Sequence, residues 1–178
     1  MKVVMLAAAL LAGCGGGGEK VKGPSPVAPD TVKLTSPAFG EGQTIPRQLT
    51  CDGDNLSPPL HWSKPPQAAK ELALLMEDPD APGGTFVHWL VYRIRLGTQE
   101  IVGGQAPSRS IEAKNSFGDA KYGGPCPPKG DMPHRYVFTI YALGKSIAPE
   151  TNAEPGKIRD AIAKAALARG QLTAKYGR

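Results

Sequence analysis

Three continuous apolar runs limit what this chain can fold into: residues 71–77 (ELALLME), 85–94 (TFVHWLVYRI) and 134–143 (HRYVFTIYAL). Their length, and their content of aromatic and β-branched side chains, fit fully buried strands. The rest of the chain is punctuated by 22 glycines and 18 prolines, which favour many short elements joined by tight turns over long helices. An alternating stretch at 31–39 (TVKLTSPAF), ended by Ser36-Pro37, predicts a further strand and turn. Residues 51–62 (CDGDNLSPPLHW) predict a loop, because Asp52-Gly53 and Asn55 favour turns and Pro58-Pro59 cannot donate to a ladder. Residues 103–133 show little periodicity, and a loop of that length in a compact domain tends to carry function. One helix is predicted at 154–170 (EPGKIRDAIAKAALARG). Pro155 suits its first turn, Ile158, Ala161, Ile162 and Ala165 make one face, and Gly170 ends it. With 178 residues and no internal repeat, the expectation is a single mainly β domain with a short helical segment near the C-terminus.

The first residues are not expected to belong to that domain. MKVVMLAAALLAGC has one lysine and then an apolar run that is too short to span a bilayer, which takes about 20 apolar residues. It fits a secretory signal at 1–13. Leu11-Ala12-Gly13-Cys14 resembles the bacterial lipobox, whose cysteine thiol receives a diacylglyceryl group; the alternative is a plain signal with an incidental cysteine. Gly15, not Asp, follows Cys14, which in enteric-type bacteria implies sorting to the outer membrane, facing the periplasm. Residues 14–30 (CGGGGEKVKGPSPVAPD) are expected to be a lipidated cysteine and a flexible Gly/Pro tether, and 31–178 the folded domain. The formal charge of +5 is spread without a basic stripe and interleaved aromatics, which argues against nucleic acid.

Polar residues interrupt two of the buried runs. Strict alternation puts Phe86, His88, Leu90 and Tyr92 on one face of the second run, and His134, Tyr136, Phe138 and Ile140 on one face of the third. If both strands start at the same end of a sheet, His88, His134 and Tyr136 meet there. The Asp78-Pro79-Asp80-Ala81-Pro82 turn, which follows the first run directly, closes the same end. Taken singly, each has a structural reading: a satisfied core histidine, aspartates that accept turn N–H bonds, a buried phenol ring. The combination points instead to a small polar hole in an apolar wall.

DPDAP, then HW on the next strand, then GPCPPKGDMPHRYVF, together resemble the phosphatidylethanolamine-binding protein family, in particular its bacterial Raf kinase inhibitor-like (YbhB/YbcL) branch. CDGDNLSPPLHW, NSFGDAKYGGP and the ending LTAKYGR agree, so the likeness covers about residues 33–178. The resemblance implies a β-fold with a central sheet packed on a second small sheet. It also implies a pocket that takes phosphate, acetate or the phosphate end of a phospholipid head group. By matching motif, Asp78, His88, Pro128, His134 and Tyr136 line that pocket, and Gly124 and Pro125 form its rim. Imidazole N–H and phenol O–H groups would donate to the ligand's oxygens. Asp78 would orient a histidine or accept a ligand ammonium. Eukaryotic members carry a second aromatic or histidine before the first strand histidine, where this chain has Phe86-Val87.

The function implied is non-enzymatic binding of a small anion, with no cofactor or metal, by a membrane-tethered lipoprotein. A second reading is a protease or kinase inhibitor, or an envelope signalling partner, whose pocket receives an acidic or phosphorylated group. A third is a metal-dependent hydrolase using His88, His134 and Asp78; it lacks an HExxH motif, a second metal-type cluster and an evident water-activating base. Cys51 and Cys126 flank the expected pocket in an oxidising compartment, and either form a disulfide or stay as two buried thiols.

Overall fold

The computed structural model of the chain describes residues 20–178, so the expected signal and Cys14 lie outside the described residues. The three apolar runs form β3 (Glu71–Asp78), β4 (Phe86–Ile94) and β7 (His134–Leu143). Every residue of β3 is buried, so both of its faces must be covered. It lies in the middle of a five-stranded sheet of order β6-β4-β3-β7-β8, in which β6 is Ile111–Glu112 and β8 is Ala166–Tyr176. The second sheet is small: β1 (Leu34–Thr35), β2 (Leu60–Trp62) and β5 (Glu100–Ile101), in the order β1-β2-β5. The structure is therefore mainly β, with the two sheets that the resemblance implied and, near the C-terminus, the short helix that the periodicity predicted.

The small sheet covers one face of the large one. Leu34, Leu60, Trp62 and Ile101 pack there with Leu72, Leu74 and Met76 of β3 and with Tyr136, Phe138 and Ile140 of β7. The helix α1 (Pro155–Ala165) covers the other face. Its Ile158 and Ile162 pack with Ala73 and Leu75 of β3 and with Leu90, Tyr92 and Tyr141. β3 is antiparallel to both neighbours. Consequently β4 and β7 start at the end of the sheet where β3 finishes.

Three expectations are corrected. Residues 60–62, read as the end of a loop, form β2 and pair with β1 and β5. The predicted helix stops at Ala165, and the next eleven residues are β8, paired with β7 from Leu143↔Ala166 to His134↔Tyr176. Ala166, Leu167, Ala168 and Arg169 are good helix formers, but β7 offers an unpaired edge, and ladder pairing outweighs the local preference. Gly170 is therefore no helix cap. It lies in the strand opposite Ile140, where a Cβ would sit 1.9 Å from the Val32 carbonyl oxygen. The long 103–133 segment is also not all loop, since β6 adds two residues to the sheet edge.

Residues 20–30, read from sequence as tether with nothing to bury, make specific contacts. The Val21 N–H donates to the Thr85 carbonyl at 3.1 Å, the Tyr141 hydroxyl donates to the Pro26 carbonyl at 3.0 Å, and the Arg169 N–H donates to the Pro29 carbonyl at 2.8 Å. Val21 and Pro26 are buried.

Gly170→Ala distinguishes the observed strand from the expected helix cap by the size of its effect. At a helix C-cap the change would cost about 1 kcal/mol. In β8 it is expected to destabilise by about 3 kcal/mol through collision with the Val32 backbone, read as a lowered urea midpoint.

Candidate functional site

The sheet end where β3 finishes is organised by two carboxylates of the DPDAP turn. Asp78 is buried; its Oδ2 accepts from His134 Nδ1 at 2.7 Å, and its Oδ1 accepts the Asp80 N–H at 2.8 Å. Asp80 accepts from the Arg135 backbone N–H and Nε, each at 2.9 Å, and from a terminal guanidinium nitrogen at 2.6 Å. Hydrogen bonds from Arg135 hold the Asp80 carboxyl below its ordinary range. The turn thus clamps the first two residues of β7 beside the last residue of β3, and Asp78 fixes the ring orientation of His134. The other ring nitrogen of His134 lies 4.0 Å from the half-exposed Asp131 carboxylate.

His88 is placed by an irregularity that alternation does not foresee. The β3–β4 register shifts between Met76↔Trp89 and Glu77↔Val87, so β4 fits one extra residue, His88, into the ladder. His88 and Trp89 both come to lie on the Tyr136 side of the sheet, while Leu90 and Tyr92 pack on the α1 side. The expected single face of Phe86, His88, Leu90 and Tyr92 therefore does not exist. The His88 ring is enclosed by Phe86, Tyr136 and Phe117, with centroids at 4.8, 5.1 and 5.6 Å. Its Nδ1 is 2.7 Å from the Gly123 carbonyl oxygen, which can only accept, so Nδ1 carries a proton. Burial lowers its pKa from the ordinary 6.5 to about 4, so the ring is neutral at pH 7. Nε2 is then a lone pair. This corrects the sequence reading: His88 offers an acceptor, not a donor.

The segment behind His88 is built by Asn115 and Ser116, both buried. Asn115 Oδ1 accepts the N–H groups of Phe117 and Asp119 at 2.9 and 3.0 Å, and Nδ2 donates to the Lys121 carbonyl at 2.8 Å. Ser116 Oγ accepts the Val87 N–H at 2.9 Å. The NSFGDAKYGG stretch is thus a shaped loop that carries Phe117 and the Gly123 carbonyl to His88.

These groups open onto a cavity of about 330 Å³ lined by Asp78, His88, His134, Phe86, Phe117 and Pro128, with Lys20, Ala81, Pro82, Cys126 and Pro127 at its edges. A larger groove of about 620 Å³ beside β5 has no buried polar side chain in its lining. Of the seven residues expected at the site, four meet in the smaller cavity. Tyr136 stands behind them, fully buried against His88. Its hydroxyl has no hydrogen-bond partner of good geometry among the described residues, and burial together with the nearby Asp78 charge raises its pKa. Gly124 and Pro125 do not face the cavity. The Gly124 N–H donates to Asn55 Oδ1 at 2.7 Å, and the Pro125 carbonyl accepts the Cys51 N–H at 3.1 Å. They tie the rim to the 49–55 loop, and a Cβ at 124 would meet the Leu49 carbonyl oxygen at 2.7 Å. Cys126 and Pro127, which sequence reasoning did not assign to the site, take the rim instead.

That rim is cross-linked. Cys51 and Cys126 form a disulfide between residues 75 positions apart. Arg178 adds a second tie, its Nε 3.1 Å from Asp52 Oδ1 and its carbonyl accepting the Gly130 N–H at 3.2 Å. Among the described residues no three His, Cys, Asp or Glu side chains group to hold a metal ion.

A two-sheet β domain with one proline-rimmed polar cavity, at the end of its most buried strand, is the class of protein defined here. The chain belongs to the phosphatidylethanolamine-binding protein family, whose sequence profile matches residues 35–177. It is 38% identical to LppC of Mycobacterium tuberculosis, named as a lipoprotein, over 93% of this chain and 89% of that one. Among solved structures, the phosphatidylethanolamine-binding protein homologue CT736 from Chlamydia trachomatis is 33% identical with a TM-score of 0.77, covering 84% of this chain and 99% of the other. Escherichia coli YbcL is 29% identical with a TM-score of 0.79, covering 83% and 98%.

The neutral His88 gives a pH signature. Its folded pKa lies below the unfolded value, so between pH 6.5 and about 4 the unfolded chain binds the extra proton. Stability is fully present above 6.5 and falls through this window by about 3 kcal/mol. His88→Gln, compared with wild type in urea titrations across pH 7 to 4, should remove that part of the slope. Parallel profiles would show that His88 is not a buried neutral ring.

Proposed function

We propose that the cavity binds a small phosphate-bearing ligand and does not transform it. The observation that supports this reading is that no free hydroxyl or thiol nucleophile stands among the described residues lining the cavity. Both Asp78 oxygens accept hydrogen bonds within the protein, His88 Nδ1 is committed to Gly123, and Cys126 is in a disulfide. What remains at the cavity surface is a small set of recognition atoms, His88 Nε2 as acceptor and the second nitrogen of His134, with the Tyr136 hydroxyl buried behind them.

This set favours an anion that also carries a hydrogen to donate. A protonated phosphate oxygen or an ethanolamine ammonium would satisfy His88 Nε2, and a bare dianion would leave it unpaired. The leader sequence and the likeness to LppC support an envelope lipoprotein tethered through Cys14, with the cavity serving a ligand at or near the membrane.

Calorimetric titration with inorganic phosphate, phosphoethanolamine and glycerophosphoethanolamine tests the reading. Saturable binding of at least one is expected, weakened about tenfold by His134→Ala, with no release of phosphate from phosphoethanolamine over hours. Absence of binding with all three ligands, or turnover of any, would sink it.

A further inference from the structure

An anion cavity needs positive charge, and the lining groups supply little of it. Asp78 brings a buried carboxylate, and His88 is neutral. Arg135, just outside, is committed to Asp80 through its Nε and a terminal nitrogen. Among the described residues that line the cavity, Lys20 is the one permanent cation. Its ammonium stands 4.1 Å from the centroid of the Phe86 ring, which in turn stacks on His88 at 4.8 Å.

Lys20 is not held there by chance contact. Val21 bridges to Thr85 immediately before β4, and Val21 is buried in the core cluster on the α1 face. Farther along, Arg159 donates to the Lys22 carbonyl at 3.4 Å, and the Ser25 hydroxyl donates to Glu77 at 2.5 Å. These contacts fix residues 21–26 as a strap and aim Lys20 at the cavity mouth. Partial burial lowers the Lys20 pKa, and the field of Asp78 opposes that effect, so the ammonium already sits within reach of the site's charge.

We propose that Lys20 is a ligand-binding residue of this cavity, supplying the cation that pairs with the ligand's phosphate group, so that the strap following the leader completes the site. The inference rests on the binding reading above and goes beyond it, because it makes the site depend on a residue outside the span the family profile matches. Binding and strap docking are then reciprocally coupled: phosphate tightens the strap, and a docked strap tightens phosphate. Lys20 lies six positions after Cys14, a reach of about 20 Å at most. A lipid on Cys14 would therefore keep the cavity mouth close to the head-group layer.

The test compares the full chain with its Lys20→Met and Lys22→Met variants, using inorganic phosphate and glycerophosphoethanolamine as probes at two salt concentrations. Lys20→Met is expected to weaken the better-bound probe about fivefold or more and to flatten its salt dependence. Lys22→Met, at an exposed neighbour, controls for net charge and should leave both unchanged. In the wild type, phosphate should also slow hydrogen exchange at the Val21 amide. Preference for the diester points to a lipid head group as the source, and preference for phosphate to a free anion; either supports Lys20 if the variant loses that probe. Wild-type binding that Lys20→Met leaves intact, or that both variants weaken equally, overturns this inference alone. A wild type that takes up neither probe overturns it together with the binding reading.

Discussion

The Asp78–His134 hydrogen bond can form only because β3 runs between β4 and β7 and antiparallel to both. That arrangement brings the last residue of one strand beside the first residues of two others. It turns one end of an otherwise apolar sheet into the meeting point of a carboxylate and two imidazoles. The geometry follows from burial: a strand with eight buried residues must be central, and a central strand with antiparallel neighbours has both of their starts at its finish.

The last two residues of β3 divide the molecule's polar interior. Asp78 turns toward the cavity. Glu77 turns toward α1, where its carboxylate lies 2.8 Å from Arg159 Nε and accepts from Ser25. Burial raises the Glu77 pKa, and the Arg159 charge acts against it. Taking two such ions out of water costs several kcal/mol each, so the pair is better understood as a positioning device than as net stabilisation. The Arg159 guanidinium is off the hydrogen-bonding line to Glu77 and leaves buried nitrogens unsatisfied, which fits that view. What the pair positions is the strap, whose first residue reaches the cavity. One strand end thus lines the cavity on one side and, on the other, holds the strap that carries Lys20 to the cavity's edge.

The fold and half of the site were legible because they depend on signals that survive in one dimension. Apolar runs marked the three central strands. DPDAP, HW and HRY marked Asp78, His88 and His134, and the Pro-Pro pair marked Pro128. What escaped depends on pairing partners. Ala166–Tyr176 carries helix-forming residues and becomes a strand only because β7 has a free edge. The bulge at His88 is set by the register against β3, which no period within β4 records. Gly124 reads as loop rim, but its missing side chain makes room for the 49–55 loop. Lys20 sits in a Gly/Pro-rich stretch whose composition signals coil, and contacts to distant residues such as Thr85, Glu77, Tyr141 and Arg169 give that stretch a fixed path.

The two histidines are both held through Nδ1, by partners of different charge, in a shared space. His134 faces an anionic partner through Nδ1, which favours a proton there and leaves its second nitrogen turned toward the mouth. His88 faces a carbonyl dipole and three aromatic rings, which fix one proton on Nδ1 but cannot stabilise a second. The cost of charging His88 in that enclosure exceeds what Gly123 returns, so its inner nitrogen stays an acceptor across the physiological range. Under the binding reading proposed above, an acceptor at His88 Nε2 would discriminate by protonation state as well as by size. A phosphate still bearing hydrogen or paired with an ammonium is the simplest ligand chemistry that is negative overall yet supplies that hydrogen.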